Sequence, residues 1–473
     1  MIQQKVNKFI LLLIFFSFCF SLIVSKHYLS KYDKLSKHEG HIYHQMIKAD
    51  PLRYMGHGDE ISQNIKEGKN FFKTGRENYT KYLPPRIASL YFLIFNESLY
   101  DKKTGLIKTG IYFPYLFLQC LFFYSSILYF YFVIKDKFKS KINFFIIGFL
   151  SLEPTIFQYH GTFWSESIFF SIQIFILAFL FKEKKNNLNF LIMGALIGIL
   201  SLQKQYAIFF IIPIILGYLV FEKQEKLKKI SFLIFGFFIL QFFLGINNYV
   251  RSGNFHVLTA DMKHGAHMDL IAKVMSKKMN ITSKEFNIIE GKAAKLWLDG
   301  NKITYNKNDE SLIEEKSLYN YRDTILNESD KVNFDNFIAE RSIKYFKENI
   351  FDFIKFIIKQ SMHVMLLNPF HIYSDHNFVS GEIYYYSELH DKLIPYRIFY
   401  TILIYFICIL GIVELYKLKK YEELSFLFLS LLYFYSLVSW HGNTRYFVPC
   451  VIYLSIFFSF GIVKISTFYK KLV

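Results

Sequence analysis

The chain has 473 residues, of which 53% are hydrophobic and 20% aromatic, including 56 Phe. The apolar residues come in long blocks with few charges, the pattern of membrane-spanning helices and not of an ordinary soluble domain. The formal net charge of +18 does not point to nucleic acid, because the lysines cluster in short loops between apolar blocks, as membrane orientation requires.

In chain order, the first segment, about Lys8 to Val24, resembles a signal peptide but lacks a small-x-small cleavage site before Lys26, so it reads as an uncleaved anchor. The remaining predicted spans are 111–134, 142–160, 164–181, 188–203, 205–221, 229–247, 395–416, 423–440 and 446–467. Lys135 to Lys141, Lys182 to Lys185, Lys223 to Lys229, Lys417 to Lys420 and Lys470–Lys471 then all fall on one side, the cytoplasmic one, with both termini inside. The opposite side receives a loop over 26–110, a polar insert over about 248–349 with helical patches, and the turns His160–Ser165, Gln203–Gln205 and Trp440–Thr444. Phe351 to Leu367 carries Asp352, Lys355, Lys359 and His363 at helical spacing, which suits a helix lying in the interface. The expected organisation is therefore a membrane module over 1–247, an insert with its interfacial helix over 248–394, and C-terminal spans over 395–473. Cys19, Cys120, Cys408 and Cys450 all lie in apolar segments without pairing or metal-like spacing, which argues against a disulfide framework or zinc site.

Five polar features converge on the predicted outer face. In Tyr54-Met-Gly-His-Gly-Asp59-Glu60, two glycines allow a tight, non-helical backbone. Asp59 there either caps the helix that follows or serves as a base. Glu166 starts the fourth span, where a carboxylate is costly to keep. Lys204 sits where two short spans meet and either snorkels to the headgroups or has a function. Arg251 leaves the seventh span, and His441, Arg445 and Tyr446 precede the last one. Acids and cations gathered at one membrane face suit a lipid-linked anionic substrate, with cations on the phosphate and an acid as base.

With these residues in place, the chain resembles the GT-C superfamily of integral-membrane glycosyltransferases, on the branch of protein O-mannosyltransferases and the lipid A aminoarabinose transferase. The resemblance rests on Asp59-Glu60 in the first outer loop and on Pro84-Pro85-Arg86-Ile87 ahead of an apolar stretch. It rests further on Glu166, on the Gly198 to Lys204 turn with Gln203 in place of the usual Thr, and on Arg445-Tyr446-Phe-Val-Pro449. An Arg-Asn-Tyr segment is matched by Asn247-Asn248-Tyr249, where Asn247 stands for the expected arginine, which leaves open whether Arg251 fills in. The resemblance implies an all-α polytopic fold of about ten transmembrane helices with a small, mostly helical insert. It implies an inverting transfer from a polyprenyl-phosphate sugar to an extracytoplasmic glycan, lipid or protein acceptor. Asp59 would be the base and Glu60 its neighbour in catalysis. Lys204, Arg251 and Arg445 would hold the donor phosphate, and Glu166, His441 and Tyr446 would position substrate. Some members use a divalent cation, but this branch generally does not, and no cofactor is expected. The rival readings are an O-antigen-type polymerase or ligase, which depends on late loop arginines and histidine, and a lipid-linked sugar transporter, which should show paired broken helices in two halves. A third is a eukaryotic endoplasmic-reticulum mannosyltransferase of the same superfamily, which the sequons at Asn78, Asn96, Asn280 and Asn327 permit; sequons arise by chance in an Asn-rich chain, so a bacterial inner membrane is the expected location.

Overall fold

The computed structural model describes residues 2–39, 50–69, 82–99, 108, 112–160, 163, 165–222, 224–257, 266–307, 321–322, 324–367, 369, 386–438 and 447–472. Among these residues the fold is helical, with one isolated bridge between Tyr305 and Ile325. Helices α1 (Ile2–Glu39), α2 (Asp50–Lys66) and α3 (Leu83–Ile94) come first, followed by α4 (Tyr112–Ile134), α5 (Ser140–Leu152) and the one-turn α6 (Pro154–Phe157). Next are α7 (Glu166–Phe181), α8 (Asn187–Gln203), a 3-10 turn at Gln205–Phe210, α9 (Ile211–Phe221) and α10 (Lys226–Ser252). The insert holds α11 (Ala272–Lys278), α12 (Ser283–Gly300) and α13 (Glu328–Glu348). Helix α14 (Ile350–Val364) leads to α15 (Tyr386–Lys417), α16 (Tyr421–Val438) and α17 (Val448–Leu472).

Six stretches of the described residues are long and apolar enough to cross a membrane: Val6–His27, Tyr112–Ile134, Ser140–Phe157, Lys226–Val250, Leu393–Lys417 and Val448–Tyr469. The protein is an integral, multi-pass membrane protein. The sequence leads one to expect about ten spans, and only six stretches meet this test. The other expected spans coincide with α7, α8, the Gln205–Phe221 segment and α16. The first three are short apolar helices. Helix α7 has 16 residues and almost all of them are buried. Other helices surround it, so its ends need not reach the lipid headgroups on their own.

The ends of the helices follow local chemistry. Two prolines open α3, where a missing N–H costs nothing. The Asn186 side chain accepts from the Asn189 N–H at 3.0 Å to start α8. Glu153 breaks the expected 142–160 span: its carboxylate accepts from Ile156 N at 2.9 Å and starts α6. Tyr400 of α15 donates to the same carboxylate at 2.6 Å, which ties the C-terminal helices to the N-terminal module.

Three loops expected on one side do gather at one end. Lys137, between α4 and α5, lies 3.0 Å from Glu423 at the start of α16, and Lys185, between α7 and α8, lies 3.6 Å from Glu422. Lys229 meets Glu222 across the α9–α10 turn at 3.0 Å. Two helix pairs cross with their backbones nearly touching. A Cβ on Gly194 or Gly236 would collide with the carbonyl of Leu233 or Leu191, where α8 meets α10. Gly411 and Gly461 play the same part for α15 and α17. In lipid, where apolar side chains gain little by leaving solvent, such close approach is what holds helices together.

The insert has its own two small cores. One gathers Ala294, Leu298, Ile325, Phe334 and Ile338. The other gathers Met275, Phe286, Phe353 and Phe356. Between them Glu290 is fully buried. It accepts from Arg341 Nε and Nη2 at 2.7 and 2.6 Å and from the Tyr345 hydroxyl at 2.7 Å, and His267 Nε2 lies 3.1 Å away. Helix α14, only 15 residues long, buries Phe353 and Phe356 and leaves Phe351, Ile354 and Ile358 exposed beside Lys355 and Lys359.

Two tests follow from this packing. Gly194→Val should overpack the α8–α10 crossing and lower thermal stability in detergent by about 1–3 kcal/mol. Gly300→Ala, which meets nothing within 4 Å, should leave the melting temperature in place. The second test is a pH dependence. Burial pushes the Glu290 carboxyl up, but hydrogen bonds from His267 and Arg341 outweigh it and hold the group down at about 2, against an ordinary 4.5. A depressed carboxylate stabilises the fold fully above 4.5, and that contribution is lost as pH falls toward about 2. Hydrogen-exchange protection over 283–348 should fall across that window, and Glu290→Gln should flatten the dependence.

Candidate functional site

Asp59 lies well inside α2, which runs Asp50–Lys66. The expected tight turn at Gly56 and Gly58, with Asp59 capping a following helix, is therefore corrected: both glycines are helical. Gly58 serves packing instead. A Cβ there would sit 2.5 Å from the Ala88 Cβ and 2.8 Å from the Pro85 carbonyl, so glycine is what lets α2 press on the start of α3. Met55, Ala88, Tyr91, Phe92, Tyr115 and Phe163 fill the space beside this contact. The Asp59 carboxylate is 7% exposed. It accepts from Ser98 Oγ at 3.1 Å and from Gln63 Nε2 at 3.3 Å. Glu60, next along α2, is half-buried.

Glu166 and Lys204, 38 residues apart, form one buried ion pair at 2.5 Å, with side chains 0% and 1% exposed. Lys204 does not snorkel. Its backbone is extended (φ −145°, ψ 114°), which ends α8 and aims the side chain at the first residue of α7. Gln203 closes the same joint by donating to the Ser165 carbonyl at 2.9 Å. The Phe169 and Tyr206 rings stand 5.6 and 5.9 Å from the ammonium.

A third group was not singled out from sequence. The Arg86 guanidinium lies 3.5 Å from the centre of the Tyr82 ring. It donates to the Tyr82 carbonyl at 3.1 Å and to Asn247 Oδ1 at 3.3 Å. Asn247 is fully buried, and its Nδ2 has no acceptor among the described residues. The Arg86 guanidinium of α3 thus meets position 247 from 161 residues away. Beside Arg86 in sequence, Ile87 lines a groove of about 340 Å³ between α3, α4, α7 and α8, together with Leu90, Ile94, Phe122, Ile172 and Leu196.

Arg251 lies in the last turn of α10, just before Gly253, which ends the helix at φ +72°. The Arg251 side chain, and His441, Arg445 and Tyr446 entirely, lie outside the described residues. Among the described residues no three His, Cys, Asp or Glu side chains gather as a metal ion would need. The structure therefore assembles Asp59, Arg86 with Asn247, and Glu166 with Lys204 on interlocking helices: α2 packs on α3, α3 reaches α10 and α8, and α8 packs on α7.

Lys204→Ala should remove the cation that faces the buried Glu166, a loss of about 3–5 kcal/mol. Lys204→Met combined with Glu166→Gln should recover most of it. Thermal unfolding of the three proteins in detergent checks both.

Residues 105–246 match the family model of dolichyl-phosphate-mannose-protein mannosyltransferases. Comparison with curated proteins gives no match. Among solved structures, the chain is similar to the Archaeoglobus fulgidus oligosaccharyltransferase determined with zinc and sulfate, at 12% identity and TM-score 0.43, over 89% of this chain and 45% of that one. It is also similar to the archaeal oligosaccharyltransferase AglB from Archaeoglobus fulgidus in complex with an inhibitory peptide and a dolichol-phosphate, at 12% identity and TM-score 0.44, over 96% of this chain and 51% of that one. The chain spans about half the length of these two structures.

Proposed function

We propose that the protein is an integral-membrane glycosyltransferase that moves a sugar from a polyprenyl phosphate to an acceptor hydroxyl or amine on the face opposite the lysine loops, with inversion. The observation that carries this reading is the Asp59 carboxylate, nearly buried and held by two donors, on the helix that packs against the one bearing Arg86. The match of residues 105–246 to a family acting on a dolichyl-phosphate sugar supports the donor class. The groove that α3 lines through Leu83, Ile87 and Leu90 supports it too, because its aliphatic and aromatic lining suits the polyprenyl tail.

In this reading Asp59 takes the proton of the acceptor O–H or N–H. The acceptor oxygen or nitrogen bonds to the anomeric carbon from the side opposite the phosphate, and the bond from that carbon to the phosphate oxygen breaks with its electron pair. The departing polyprenyl phosphate gains a negative charge. Arg86 meets that charge with a planar, permanently charged fork, and the buried Asn247 Nδ2–H adds a donor. Stabilisation placed where charge develops lowers the barrier more than it tightens donor binding. The Glu166–Lys204 pair is already neutralised, so its part is to fix the joint of α7 and α8. Arg251, Arg445 and His441 are further candidates for the phosphate, with Glu60 and Tyr446 on the acceptor side. Placing this face outside the cytoplasm follows the lysine distribution. A donor carried on lipid fits that side, because nucleotide sugars are cytoplasmic.

The test is transfer of labelled sugar from polyprenyl-phosphate donors in membranes. Asp59→Asn should lower transfer about 100-fold or more with expression intact. Arg86→Lys should lower it about tenfold, since one charge is kept but the fork is lost. Near-normal transfer by Asp59→Asn would overturn the assignment.

A further inference from the structure

The insert carries a second concavity, of about 410 Å³, remote in sequence from the residues above. It lies between α12 and α13. On α13, Asp330, Asn333, Phe337 and Glu340 recur at three- and four-residue spacing and so share one stripe, with Asn336 beside it. The neighbouring stripe of α13 (Phe334, Asp335 and Ile338) is buried and faces the small core. The Trp297 indole of α12 stacks on Phe337 with centroids 4.9 Å apart and planes 22° from parallel. Trp297 and Phe337 are each half-buried, and the Arg341 guanidinium lies 5.6 Å from the centre of the Phe337 ring. Asn333, Asn336 and Glu340 are exposed around this aromatic pair.

A run of polar residues on an exposed helix face is ordinary. Here such a run stands around a stacked Trp297–Phe337 pair. The combination matches one ligand chemistry. A pyranose has a face of C–H bonds that suits the negative face of an aromatic ring. Its edge of hydroxyls both donates and accepts. Asn amides supply donor and acceptor together, and carboxylates accept from hydroxyls strongly. The cavity falls in the range that small-ligand sites occupy.

We propose that this cup is a saccharide-binding subsite, which holds a sugar unit of a neutral glycan with its apolar face on Trp297 and its hydroxyls on Asn333, Asn336, Asp330 and Glu340. As a hold on the acceptor or the glycosylated product, it rests on the transferase reading above. As a binding site it stands on its own geometry. The two acids disfavour an anionic glycan and a phosphorylated ligand, which separates this cup from the cationic surroundings of Arg86.

The test is direct binding to the purified full chain in detergent, without donor, followed by saturation-transfer NMR. The probes are mannobiose, lactose and N,N′-diacetylchitobiose. At least one disaccharide should bind saturably, with the strongest saturation on the C–H protons of one ring face. Trp297→Leu, which keeps the core covered, should weaken that binding about tenfold. Because Trp297 also packs on the core, Asn333→Ala and Glu340→Ala, both at exposed positions, should weaken it as well with melting temperature unchanged. No saturable binding by any of the three, or equal binding by all the variants, would overturn the proposal. Disaccharide binding together with unimpaired transfer by Asp59→Asn would sink the transferase assignment and leave the subsite standing. Loss of transfer in Asp59→Asn without any disaccharide binding would do the reverse.

Discussion

A lysine can stay charged among packed membrane helices only where a carboxylate meets it, and the Glu166–Lys204 pair is that arrangement. It joins the start of α7 to the end of α8, at the extended residue that separates α8 from the 3-10 turn after it. Replacing the pair with apolar residues would suit the bilayer equally well. Its presence marks a place where rigid geometry matters more than gain in stability.

Much of this was legible in the sequence. Apolar blocks and lysine loops gave the membrane class and brought three loops together at one end, because hydropathy and charge act locally and leave a direct trace. Asp59, Glu166 and Lys204 stood out because acids and lysines next to long apolar runs are rare. What did not show was pairing. Glu166 and Lys204 each read as a lone interfacial charge, since their 38-residue separation carries no periodicity. Arg86 read as part of a proline-led helix start, and only the fold shows it beside Asn247. The two glycines before Asp59 suggested a turn because glycine favours both turns and close helix contacts, and sequence does not separate these uses. Glu153 was hidden within an apparently continuous apolar run, where its capping bond made a short new helix. The span count was the coarsest reading. Length separates spans from buried helices only when the helix faces lipid, and α7 does not.

The insert shows the same economy in water. Its two small cores would be marginal alone, and Glu290 joins them through Arg341, Tyr345 and His267. That network faces inward, which frees the outer stripe of α13 to carry amides and acids over an aromatic floor.

The glycine crossings have a mechanical consequence. Backbones in contact at Gly194–Gly236 and at Gly411–Gly461 cannot slide without collision, so α8 with α10, and α15 with α17, each behave as a single stiff beam. Helix α3 belongs to neither beam. It packs on α2 at Gly58 and through the cluster of Met55, Ala88, Tyr91 and Phe92, and its Arg86 reaches Asn247 of α10. Because α3 forms one wall of the apolar groove and carries Arg86, that wall and the guanidinium belong to one rigid element, and any displacement of the wall shifts the charge in the same movement.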